Sequence, residues 1–228
     1  MADIDEADIK GAAARSRPRA ILFDWDNTLV ESWGVIHLAL NRTMVAMGHP
    51  EWTRAETEAR VRASLRDTFP AMFGDRWKEA ERVFYDSFEA IHLAHLQPAT
   101  GAAEMLGSLA ADRDIYLGII SNKRGEFLRK EVAHLGWGAF FRAVAGAGDA
   151  TRDKPAVEHV RFALGDLAGG TDVWLVGDAD IDLKCAHNAG LTPVLLRRSA
   201  PMLGEFQGHE PALYFPDCAE LLAYLRQA

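Results

Sequence analysis

The stretch Ala20-Ile21-Leu22-Phe23-Asp24-Trp25-Asp26-Asn27-Thr28-Leu29-Val30 decides the reading of this chain. Ile21, Leu22 and Phe23 form an apolar run too short for a helix and rich in β-formers, which predicts a buried strand. The run ends in Asp24 and Asp26. In a continued pleat both carboxylates point to one face, because strand side chains alternate with period two. Two bare carboxylates ~4 Å apart repel by about 4 kcal/mol at an effective dielectric of roughly 20. Such a pair needs a cation, a shared proton or solvent. Ligand sites of open parallel sheets lie beyond the carboxyl ends of strands, where these two acids stand. An Asx-rich turn, with Asp and Asn bonding their own backbone, accounts for the same residues. The rest of the chain must choose between the two.

From Glu31 to about Gln97 no strand-like run occurs, and apolar residues recur at helical spacing. Trp33, Ile36, His37, Leu40 and Met44 mark one amphipathic helix. Thr53 with Glu56 forms a capping box for a second, whose inner face would carry Val61 and Leu65. Trp77, Val83, Phe84, Phe88, Ile91 and Leu96 mark a long third helix, with Pro70 and Gly74 as punctuation before it. After Pro98 the pattern alternates. Helices are predicted over 102–111, 125–135 and 156–164, from about Asp182 to Ala189, and over 219–225. Strands are predicted over 115–120, 141–145, 173–176, 192–196 and 213–215. Strands alternating with helices imply βαβ units and a parallel sheet covered on both faces.

Three further polar signals fall at strand ends. Ser121 and Asn122 follow the 115–120 strand, where a hydroxyl, an amide and helix-start N–H groups make an anion cradle or a simple N-cap. Lys154 precedes Pro155, a residue suited to the first helical position. A lysine there can neutralise carboxylates or bind phosphate, or can stand solvated at the surface. Gly177-Asp178 is followed by Asp180 and Asp182, with Asp182 facing Asp178 at i+4, either a cation site or an acidic helix start. Four separate strand ends carrying acids, a lysine and an anion cradle together favour a site over four coincidences.

Composition sets the outer limits. The 228 residues are 49% hydrophobic and 25% charged, enough for a large core without disulfides. The net charge of −8 argues against a nucleic-acid binder. Cys185 and Cys218 have no metal-type spacing and sit in apolar surroundings, which fits a reducing, cytoplasmic setting. No apolar run approaches the ~18 residues of a membrane span. The first nineteen residues, acidic and then Arg-rich with no apolar h-region, read as a disordered tail rather than a secretory signal.

Asp24-Trp25-Asp26-Asn27-Thr28-Leu29, then Ser121-Asn122, Lys154-Pro155 and Gly177-Asp178 with Asp182, resemble the four ordered motifs of the haloacid dehalogenase (HAD) superfamily. Within it the chain is most similar to phosphoglycolate phosphatase-like and β-phosphoglucomutase-like members. The likeness spans roughly Arg19 to the C-terminus. Trp25 and Asn27 replace the commoner Leu and Gly. The resemblance implies a three-layer α/β/α Rossmann-like core of residues 20–31 and 98–228, with 32–97 as an inserted all-helical C1 cap. It implies Mg²⁺-dependent hydrolysis of a small phosphomonoester through an aspartyl-phosphate. Asp24 would be the nucleophile and Asp26 the general acid and base, with Thr28 orienting Asp26 or meeting the phosphate. Ser121, Asn122 and Lys154 would bind the phosphoryl group. The Asp24 and Asp178 carboxylates and the Asp26 carbonyl would hold Mg²⁺, and Asp182 would support the metal or Lys154. A sugar-phosphate mutase shares these motifs, and a non-catalytic phosphate-binding scaffold could inherit them.

In capped members of the superfamily the cap reads the leaving group. Arg62, Ser64 and Arg66 are the candidates for that role here, since arginine pairs well with carboxylate or phosphate. Trp33 and His37 stand where they line the entrance or pack in the core. His92 and His95, at i and i+3, lack the further ligands that a metal site requires.

Overall fold

The computed structural model of the protein describes residues 17–61, 65–167 and 170–227. β1 (Ala20–Phe23) is followed by β2 (Val30–Glu31) and then by four helices, α1 (Trp33–Ala46), α2 (Arg54–Arg60), α3 (Leu65–Phe73) and α4 (Trp77–Glu89). β3 (Gln97–Pro98) closes this helical insertion by pairing antiparallel with β2, Val30 against Pro98 and Glu31 against Gln97. The chain therefore leaves and re-enters the main body through one two-stranded neck. The insertion has its own core, in which Phe69 meets Phe73 and Phe84 edge to face at 5.0 and 5.8 Å.

Beyond the neck come α5 (Ala102–Ala110), β4 (Tyr116–Arg124), α6 (Gly125–His134), β5 (Ala143–Ala147) and α7 (Val157–Leu164). β6 (Val173–Gly177), α8 (Asp180–Ala189), β7 (Thr192–Leu196), β8 (Leu213–Phe215) and α9 (Cys218–Leu225) complete the body. The six long-range strands form one parallel sheet in the order β5-β4-β1-β6-β7-β8. Alternation along β1 divides the core into two layers. Ile21 and Phe23 face a cluster with Met105, Leu128 and Leu221, while Ala20 and Leu22 face one with Val160, Leu164 and Ala186. The result is a three-layer α/β/α core carrying a helical cap. β1 stands between β4 and β6, so the strand order reverses at its end, the place where such sheets bind ligands. Among the described residues no helix is long and apolar enough to cross a membrane.

Several local expectations change. The capping box holds: Thr53 Oγ1 accepts from the Glu56 N–H, and the Thr53 N–H donates to the Glu56 carboxylate. That helix, however, stops at Arg60; Val61 is extended and Leu65 opens α3 instead. Pro70, read as punctuation before the long third helix, precedes it but lies inside a separate helix, α3, because Phe69 and Phe73 bury that helix against α4 and outweigh the lost backbone bond. The long third helix ends at Glu89, with Ile91 and Leu96 in the turns that lead to β3. Arg17 and Arg19, within the expected tail, pair with Asp112 and Asp172, and the Arg19 carbonyl accepts from Tyr116 N at 2.9 Å.

Candidate active site

The site is built where β1, β4 and β6 end. The Asp24 N–H donates to the Val176 carbonyl at 2.8 Å, extending the β1–β6 ladder by one residue and fixing Asp24 at the sheet edge. The chain then turns sharply. Asn27 takes a left-handed backbone with φ 62°, which Asn tolerates better than most side chains. Its Oδ1 accepts from the N–H groups of Ser32 and Trp33, so the residue that makes the turn also caps α1.

Lys154 reaches into this corner. Its ammonium donates to Asp24 Oδ1 and Asp182 Oδ1, both at 2.6 Å, and it is buried with them. Carboxylate oxygens of Asp24, Asp178 and Asp182 all lie within 4.8 Å of one another. Three acids thus face one lysine. Burial and the neighbouring Asp182 push Asp24 up to about 7 against the pull of Lys154, and burial with Asp182 and Asp24 raises Asp178 well above the usual carboxylate range. Burial disfavours the charge on Lys154, but Asp182 and Asp24 outweigh it and hold its pKa above that of an ordinary lysine. The cluster is short of positive charge, and its all-oxygen donor set suits a hard divalent cation. Gly177 makes room for it: a Cβ there would stand 2.3 Å from Asp182 Cγ.

The surroundings differ from the sequence reading in three places. β4 runs on to Arg124, so Ser121 and Asn122 lie within the last part of the strand, not at the helix start. Ser121 Oγ accepts from the Lys123 N–H at 3.2 Å, and Asn122 Nδ2 donates to the Lys154 carbonyl at 3.1 Å. Pro155 is not the first helical residue; the Lys154–Pro155 peptide is cis and α7 begins at Val157. Asp182 does not lie across a helical turn from Asp178, because α8 begins at Asp180; Asp182 instead folds back so that its Oδ2 accepts from the Ala179 N–H.

Asp26 has a different partner from the one expected. Thr28 is buried and its Oγ1 has no hydrogen-bond partner among the described residues. The Asp26 carboxylate instead accepts from Lys123 Nζ at 2.7 Å. Lys123 also donates to Glu131 at 2.6 Å, and Glu131 accepts from Trp25 Nε1 at 2.6 Å and meets His92 Nδ1 at 2.8 Å. Burial opposes the Glu131 charge, but His92 and Lys123 hold its pKa below the usual range. Sequence reasoning missed Lys123 and Glu131. The available signal was an acid on the buried stripe of α6, four residues after Phe127 and next to Val132. Trp25, noted only as a departure from the commoner Leu, donates to that acid, and His92 forms no pair with His95.

The pocket over these groups is lined by Asp24, Asp26, Ser121, Asn122, Lys154, Asp178 and Asp182 from the body, and by Trp33 and other apolar residues from the insertion. His37 is not among the lining residues; its Nδ1 meets Thr57 Oγ1 at 2.9 Å. Arg62, Ser64 and the Arg66 side chain lie outside the described residues.

Residues 21–196 match the family described as haloacid dehalogenase-like hydrolase. The chain belongs to that family. A phosphoglycolate phosphatase of Photorhabdus laumondii is 28% identical over 209 residues, covering 88% of this chain and 87% of its own. The pyrophosphatase PpaX of Bacillus pumilus is 26% identical over 206 residues, covering 89% and 94%. A solved haloacid dehalogenase-like hydrolase from Streptococcus pneumoniae superposes with a TM-score of 0.78 at 22% identity, over 90% of this chain and 97% of its own, which extends the likeness to the fold. The haloacid dehalogenase-like fold thus carries the aspartates, lysine and serine of this hydrolase to one sheet edge.

Proposed function

We propose that the protein is a Mg²⁺-dependent phosphatase of small phosphomonoesters that works by double displacement at Asp24. The observation that carries this reading is Lys154, buried between Asp24 and Asp182 at 2.6 Å from each, with Asp178 completing an underneutralised acidic cluster. A carboxylate attacks a phosphate dianion only where cations quench their repulsion, and this corner concentrates that need at one oxygen pair.

In the first step an Asp24 oxygen bonds to phosphorus and the bond from phosphorus to the leaving oxygen breaks, while Asp26 gives that oxygen a proton. In the second, Asp26 takes a proton from water as the water oxygen bonds to phosphorus, and the bond to Asp24 breaks. Ser121 and the backbone about Asn122 donate to the phosphoryl oxygens, and Lys154 balances their charge. Asp24, Asp178 and the Asp26 carbonyl would hold Mg²⁺, which when bound neutralises charge on the phosphoryl oxygens. Asp182 keeps Lys154 in place. The relatives named as phosphatase and pyrophosphatase support phosphorus as the centre attacked.

Phosphate release from a broad phosphoester panel, with Mg²⁺ and with excess chelator, tests this. Release should need the metal and should fall at least roughly a thousandfold in Asp24→Asn, as expected when a covalent nucleophile is lost. Wild-type turnover by Asp24→Asn, or no Mg²⁺-stimulated release from any ester, would sink the assignment.

A further inference from the structure

The Asp26 carboxylate, proposed to give and take the proton, is fixed by a single contact. Among the described residues its one hydrogen-bond and ion-pair partner is Lys123 Nζ, 2.7 Å from Oδ1. Thr28, the residue expected to orient it, has no hydrogen-bond partner for its hydroxyl among those residues. A lysine by itself positions poorly, because its ammonium swings on a flexible four-carbon stem. Here the stem is held. The Lys123 side chain is 6% exposed, its ammonium lies 5.2 Å from the centre of the Phe88 ring, and Glu131 accepts from it at 2.6 Å.

Glu131 has both oxygens engaged. Oε2 accepts from Trp25 Nε1 as well as from Lys123, and Oε1 meets His92 Nδ1. An ionised carboxylate can only accept, so Nδ1 is the donor. The His92 ring is buried and stacks on Phe88 at 4.9 Å. The turn between the paired aspartates, the last part of β4 and the base of the insertion therefore converge on one buried acid. Stability does not call for this arrangement, since apolar residues of similar volume often serve a core as well as a buried ion pair or better. What the network supplies is a fixed direction for one carboxylate. A misplacement of about 1 Å at a reacting group can cost about a hundredfold in rate.

Resting on the phosphatase reading above, we infer that Glu131 is a positioning residue for proton transfer: through Lys123 it aims the Asp26 carboxylate at the leaving oxygen, and Trp25 and His92 hold Glu131 in place. A positioning network and a purely structural one differ in how they treat the leaving group. An alcohol must be protonated as it departs, whereas 4-nitrophenolate is stable enough to leave without a proton. The quantity to compare is kcat/KM, which reports events up to departure of the leaving group and not the later attack of water. The full-length protein with Mg²⁺ is assayed on 4-nitrophenyl phosphate, phenyl phosphate and the fastest alkyl ester of the broad panel. In Glu131→Gln, kcat/KM should fall about tenfold for the alkyl ester and about twofold or less for 4-nitrophenyl phosphate, with phenyl phosphate between, a part of the roughly 10²–10⁴ that a general acid supplies. His92→Phe keeps the stack on Phe88 and removes the donor to Glu131, so it carries the test if Glu131→Gln does not fold. Its losses should follow the same order, at about threefold for the alkyl ester. Equal losses on all the esters, or no loss on any, would make the network structural alone and overturn the inference while leaving the phosphatase standing. No Mg²⁺-stimulated release by the wild type from any ester overturns both.

Discussion

Lys154 and Lys123 are two buried lysines that solve the same problem in different ways. Each bridges one of the paired aspartates to a second acid, Asp24 to Asp182 and Asp26 to Glu131, with contacts of 2.6 to 2.7 Å. Lys154 works wholly within the body, among groups at the ends of β1 and β6. Lys123 ties the body to the insertion, because its acid Glu131 on α6 also meets Trp25 beside the aspartates and His92 from the insertion. The contrast separates two requirements. In the proposed mechanism one lysine quenches charge at the attacking oxygen of Asp24. The other holds the Asp26 carboxylate, proposed to transfer the proton, and ties the cap's base to the same network.

The largest expected effect comes from breaking the first bridge. Lys154→Met leaves Asp24, Asp178 and Asp182 facing one another without their ammonium. Removing a fixed charge donor of this kind typically costs about 10²–10³ in kcat, and losing one partner of a buried pair costs about 3–5 kcal/mol of stability. Steady-state kinetics and urea denaturation should therefore both move. Added Mg²⁺ should recover more of the stability than of the rate, since a cation can screen the acids but cannot replace the ammonium proposed to balance the phosphoryl group. Equal recovery of both would assign Lys154 a purely structural role.

Breaking the second bridge should invert that ratio. Glu131→Gln removes the charge shared by Lys123 and His92 but keeps an acceptor for Trp25. The stability loss should again approach roughly 3 kcal/mol, the scale for an unpaired buried charge. The loss in kcat should stay near tenfold, because Asp24 and Lys154 keep their geometry. Glu131→Asp should restore part of the rate only if the carboxylate's position, not just its charge, sets Asp26. A thousandfold rate loss in Glu131→Gln with unchanged stability would merge the two lysine sites into one functional unit.

The two bridges were not equally legible from the sequence. Lys154 could be read because it stands next to Pro155 at a strand-end position, and because strand, turn and acid recur together at Asp24, Asp178 and Asp182. The parallel sheet was legible for a similar reason, since short β-rich runs alternate with helical patterns from Pro98 onward. Glu131 was hidden by its context. On α6 it shares a face with Phe127, Leu128 and Val132, and helical periodicity gives no sign that an acid there gathers three donors, two of them from distant segments. Lys123 was hidden by the same gap in sequence, as its partner Asp26 is 97 residues away. Pro155 misled because a proline ahead of a helix usually marks its first residue, whereas here Ala156 is the N-cap and the helix starts at Val157. Long-range polar pairing is a property of packing, and local pattern carries little of it.

The smallest effect compares the histidine near each lysine. His92 is hydrogen-bonded to Glu131, whereas His159 on α7 is fully buried and lies in the field of Lys154. Burial first, and then the Lys154 charge, push His159 down to about 4 from its ordinary 6.5. Below about 6.5 the unfolded chain binds a proton that the folded chain refuses until about 4, so stability falls as pH drops through that window and is unaffected above it. At pH 5 the loss from this one group comes to about 2 kcal/mol. Urea denaturation of the wild type and His159→Gln at pH 8 and at pH 5 isolates it, because the difference between the two pH values cancels any cost of the substitution itself. The wild type should lose about 2 kcal/mol more than the variant on acidification. Equal losses would mean that His159 takes up its proton in the folded state as readily as in the unfolded one. The reach of Lys154 would then end at its two carboxylates, and the two lysine sites would be alike in extent as well as in form.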